Sequence, residues 1–100
     1  DADRLRGALA FSEACGAGEE AHREALSADE DDLDARYALG CCLAVAGKYE
    51  AALEEFLTVV KKDKSFRDEA ARKAMVTIFG LLGSGHDLSS RYRRQLVIYL

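Results

Sequence analysis

One hundred residues, 49% of them apolar and none of them proline or tryptophan, are the inventory of a single helical domain with a modest core rather than of a sheet protein. A net charge of −4 and a sequence pI of about 5.1 disfavour a polyanionic partner, and there is neither a bilayer-length apolar run nor a basic-then-apolar secretory segment. The chain starts at Asp1 without Met, so we expect a C-terminal piece of a longer protein.

The first expected element is a helix pair over residues 1–29. A shift of 34 carries Leu5 to Leu39, Leu9 to Leu43, Ala10 to Ala44 and Leu26 to Val60, with a turn at Cys15-Gly16-Ala17-Gly18. An acidic run, Asp29-Glu30-Asp31-Asp32 with Asp34, follows. It reads as a solvated turn whose carboxylates favour the next helix N-terminus, and it lacks the alternation and turn glycine of a calcium loop.

The second pair, over residues 32–63, carries the clearest pattern. Asp32 is placed to cap a helix running to Ala46. Gly40 and Ala52 are small where two helices must approach, Leu43 and Phe56 are bulky fillers, and Gly47 breaks the chain between them. Lys61 and Lys62 close the second helix, where cations oppose the negative end of its dipole.

The third pair, over residues 65–100, emerges on a shift of 36. It carries Leu39 to Met75, Leu43 to Phe79, Gly47 to Gly83, Ala52 to Leu88 and Phe56 to Tyr92. Ser65 with Asp68, and later Asp87, are expected N-caps, and Gly83-Ser84-Gly85 is the breaker between Leu82 and Asp87.

Charge follows the same division. Residues 1–60 hold five basic residues against fourteen acids, a net −9, while residues 61–100 hold nine against four, a net +5. Arg91, Arg93 and Arg94 crowd the last helix around Tyr92.

Candidate chemistry is sparse. Cys15, Cys41 and Cys42 make an odd count without C-x-x-C, so neither a disulfide framework nor a thioredoxin-type site is expected. Adjacent Cys41 and Cys42, about 100° apart on a helix, suit small buried hydrophobes in a reducing, cytoplasmic setting. A zinc site from these thiols with His22 and His86 would need distant segments to converge. Ser84, Ser89 and Ser90 near His86 supply no base and oxyanion geometry by proximity alone, and Gly83-Ser84-Gly85 lacks the spacing, Lys and Ser/Thr of a phosphate loop. The expectation is a non-enzyme without metal or cofactor.

The series Leu39-Gly40, Leu43, Gly47, Tyr49, Ala52, Phe56 and Val59 resembles the tetratricopeptide repeat, whose period is about 34 residues. Arg36 departs where that family usually has Trp, and Lys64 where it has Pro. The resemblance implies an all-α array of about three antiparallel helix pairs, six helices in all, acting in protein binding. Such arrays bind on the face lined by the first helix of each pair, which in the central repeat offers Asp34, Tyr37, Cys41, Ala44 and Val45. That groove suits an extended or helical apolar segment. A carboxylate clamp is not expected, since Tyr37, Ala38 and Cys41 occupy its positions.

The C-terminal part narrows the resemblance. Lys61-Lys62-Asp63, Ala71-Arg72-Lys73-Ala74-Met75, Leu82-Gly83-Ser84-Gly85 and above all Ser90-Arg91-Tyr92-Arg93-Arg94-Gln95-Leu96 resemble the end of bacterial thioredoxin-like co-chaperones of the chaperedoxin type. The similarity runs from about Asp29 to Leu100. It implies an N-terminal thioredoxin-like domain in the same protein, unfolded clients, and a chaperonin or Hsp70-type chaperone as partners. Arg91, Arg93, Arg94, Tyr99 and Leu100 would then form the contact, the arginines facing an acidic partner and the last two residues anchoring it. A nucleic-acid-associated domain using the same arginines, or a purely architectural array, are the alternatives.

Overall fold

The computed structural model describes residues 10–16, 18–83 and 85–99, and among them are six helices and no strand. Helix α1 covers residues 10–15, followed by α2 (Glu19–Ala28), α3 (Leu33–Val45), α4 (Tyr49–Lys62), α5 (Ala70–Leu82) and α6 (Asp87–Ile98). Leu5, Leu9, Ala17, Ser84 and Leu100 lie outside the described residues. Helix α3 packs between α2 and α4, and α4 in turn meets α5 and α6, so the helices form three consecutive hairpins stacked side by side.

The central hairpin is built as its small and large residues dictate. Phe56 of α4 is fully buried, stacked on Phe11 of α1 at 6.0 Å and met edge-on by Tyr37 of α3 at 5.6 Å. Gly40 lies against it so closely that a Cβ would come within 2.7 Å of the Phe56 ring. Gly47 closes α3. Its positive φ of 80° lets Lys48 N–H donate back to the Leu43 carbonyl at 2.9 Å while Gly47 N–H donates to Ala44, which satisfies carbonyls the helix end would otherwise orphan. The second half of the core is Met75, Ile78 and Phe79 of α5 against Tyr92 and Leu96 of α6.

Asp32 caps α3, its carboxylate accepting from Ala35 N–H at 3.0 Å. Arg36, in place of the family's Trp, donates to Glu55 on α4 at 3.0 Å and to the Glu30 carbonyl at 3.1 Å, tying the acidic turn and both helices together by charge instead of by an indole.

Four expectations are corrected. Ser65 and Asp68 cap nothing: Asp63 accepts from both the Ser65 N–H and hydroxyl, and Arg67, Asp68 and Glu69 all have positive φ, so α5 cannot begin before Ala70. His86 rather than Asp87 caps α6, its Nδ1 accepting from Leu88 N–H at 3.1 Å, with Asp87 in the first turn. The cysteines are not all free. Cys15 and Cys42 are joined by a disulfide, because the end of α1 lies against α3 and brings their Cα atoms to 4.7 Å; only Cys41 remains a thiol. The spacing of the hairpins also differs from the sequence offsets: α4 starts 30 residues after α2 and α6 starts 38 after α4, the added length lying mostly in the longer α4 and in the turn over residues 63–69.

Candidate protein-binding surfaces

The first helices of the hairpins, α1, α3 and α5, share one face of the molecule. Phe11, Tyr37, Ala70, Lys73 and Thr77 line a cleft of about 230 Å³ there. A second cleft, of about 340 Å³, adjoins it and is lined by Ala14, His22, Ala25, Asp32, Asp34 and Ala38. Arg67 belongs to both.

Of the groove residues expected from sequence, the structure brings only Asp34 and Tyr37 to these clefts. Asp34 is exposed and pairs with Arg67, its Oδ1 at 2.5 Å from Nη2, and the half-buried Tyr37 ring lies 6.0 Å below the same guanidinium. Cys41 and Ala44 point into the core, being 0% and 5% exposed, because α3 is enclosed by α2 and α4; Val45 is exposed at the end of α3. Burial pushes the Cys41 thiol up to about 11. It also raises the Tyr37 hydroxyl to about 12, with the adjacent Cys41 adding to the effect. Both groups are therefore neutral at ordinary pH, and Cys41 is a packing residue with no thiolate to offer. Phe11, Arg67, Lys73 and Thr77 were not expected. Two were within reach of the sequence, since the shift of 36 that aligns the second and third hairpins carries Tyr37 to Lys73 and Cys41 to Thr77.

The last helix offers a different surface. Its core-facing stripe is the partly buried Leu88 with the buried Tyr92 and Leu96, four residues apart. The Tyr92 hydroxyl donates to the Glu54 carboxylate, and burial together with that carboxylate holds its proton far above the ordinary range. Arg91 reaches Glu50 at 3.4 Å, Arg93 lies 5.2 Å over the buried Phe79 ring, and the Arg94 Nε donates to the Ser90 carbonyl. Beyond the stripe, Val97 and Ile98 are 69% and 73% exposed, with Tyr99 partly exposed under the Lys61 ammonium at 5.3 Å. Val97 and Ile98 escaped the sequence reading, although they fall about 100° and 200° around the helix from Leu96 and so cannot share its buried face.

The histidines are engaged locally. His86 caps α6, and His22 donates from Nε2 to the Cys15 carbonyl at 2.6 Å. Ser89 is fully buried with no hydrogen-bond partner. Among the described residues no three His, Cys, Asp or Glu side chains converge as a metal site, and no helix is long and apolar enough to cross a membrane.

A family model described as tetratricopeptide repeat matches residues 14–100. No curated protein and no solved structure matches the chain.

Proposed function

The chain belongs to the tetratricopeptide repeat family, whose repeats mediate protein–protein interaction, and from that premise we propose that it is the non-catalytic binding segment of a bacterial thioredoxin-like co-chaperone. In this reading α6 docks on a chaperonin or Hsp70-type chaperone while the face of α1, α3 and α5 receives client segments. The observation that carries the chaperone contact is the end of α6, where Val97, Ile98 and Tyr99 expose apolar surface within a helix bearing Arg91, Arg93 and Arg94. Exposed apolar anchors with cationic side chains on the same helix have the composition of an interface core with a polar rim. The similarity of residues 29–100 to the end of chaperedoxin-type proteins supports the same assignment and implies a thioredoxin-like domain ahead of this segment.

The test is interferometry against purified chaperonin with the Val97→Ser/Ile98→Ser double variant, whose changes lie outside the core. A loss of affinity of about tenfold or more is expected for two truncated anchors. Binding equal to that of the unaltered chain would overturn the assignment of the contact to α6.

A further inference from the structure

The two clefts on the first-helix face share one lining side chain, Arg67. Arg67 lies 6.0 Å from the Tyr37 ring centroid and 5.5 Å from that of Phe66; the two rings meet edge-on at 6.1 Å, and the Asp34 carboxylate takes the guanidinium at 2.5 Å. Two aromatic faces and one carboxylate make a receptor for a planar cation. Here the chain fills the receptor itself, and it does so loosely. The side chains of the ion pair are 60% and 66% exposed, so water competes for both partners. Arg67 also opens the run of three left-handed residues, with φ of 45°, 59° and 62°, a conformation that non-glycine residues hold at a cost and that the turn could relax once the guanidinium is released. Arg67 lines both clefts, so a group that takes its place borders on the cleft of Phe11 and Thr77 on one side and on that of His22 and Asp32 on the other.

The geometry points to a binding site for an extended peptide segment that presents an arginine, its guanidinium replacing that of Arg67 between Tyr37, Phe66 and Asp34 and its apolar neighbours entering the clefts on either side. Arginine fits better than lysine, since a flat guanidinium can stack on the rings while it pairs with the carboxylate. With Arg67 displaced, the lining of the two clefts holds Asp32 and Asp34 against Lys73, a balance that favours a cationic group over an anionic one. This inference rests on the reading of the chain as a protein-binding module and names the chemistry of what its first-helix face takes. It does not depend on the contact at α6.

The experiment is fluorescence anisotropy of a labelled Gly-Ala-Leu-Arg-Leu-Ala-Gly peptide and of its citrulline counterpart, which keeps the shape and removes the charge. Arg67→Ala removes the internal competitor and is expected to tighten binding by about fivefold, as for a site self-occupied most of the time. Asp34→Asn is expected to weaken it by about tenfold, as is citrulline. Arg67→Gln gives a second, more conservative variant whose helicity and melting can be matched to the parent. Equal affinity for the two peptides overturns the proposal, as does the absence of binding by both the parent and the Arg67 variants. Interferometry of the same preparations against chaperonin separates the two readings: retained chaperonin binding with failed peptide binding removes this inference alone.

Discussion

A methyl group added to Gly40 would sit 2.7 Å from Cε1 and 2.9 Å from Cδ1 of Phe56, and that ring is held between Phe11 and Tyr37. Gly40→Ala therefore overpacks the core and is expected to lower stability by about 1–3 kcal/mol in urea unfolding, against its normally favourable helix propensity. The neutral groups beside it predict an alkaline limit. Unfolded, the Cys41 thiol releases its proton near its ordinary value of 9, whereas folded it holds it to about 11; Tyr37 shifts from 10 to about 12. The unfolded chain thus loses protons first, so these residues' contribution is complete below about pH 9 and declines as pH rises through 11 to 12. Urea titrations across that range should show falling stability, with a shallower decline in Cys41→Ala and Tyr37→Phe. The close approach at Gly40 was legible in the sequence because size alternation at helical spacing is local. The burial of Cys41 and Ala44 away from the groove was not, because it depends on how the neighbouring hairpins enclose α3.

Among the elements, helix ends were readable where one residue at the helix end does the work, Asp32 through its carboxylate and Gly47 through its positive φ, and misread where two neighbours compete. Asp63 takes both polar groups of Ser65, and His86 takes the role expected of Asp87. The Cys15–Cys42 bridge was hidden for a different reason. A separation of 27 residues matches no repeat offset, and only the packing of the end of α1 on α3 reveals it. Closing a loop of that length is worth about 3.5 kcal/mol on the chain-entropy account. Thermal melts with and without dithiothreitol should therefore differ by roughly 14–28 °C, and Cys15→Ser should melt like the reduced parent; coincident melts would show that the bridge contributes nothing to stability.

Across the molecule, the opposed charges of the two ends of the chain, −9 and +5, are partly spent on each other. Lys62 pairs with Asp31 at 2.7 Å, Arg67 with Asp34, and Arg91 with Glu50, each joining the acidic part of the chain to the basic part. The Lys62 ammonium holds the Asp31 carboxyl below its usual range. These contacts draw Arg91 toward the protein's own surface, so the exposed apolar end of α6 supplies the more distinctive docking feature. The most direct test is hydrogen–deuterium exchange of the chain alone and with saturating chaperonin. Slowed exchange concentrated in residues 91–98 is the expected result, because a docked α6 stops fraying. Unchanged exchange in those residues, with protection elsewhere or nowhere, would contradict the assignment of this helix as the chaperone-facing element.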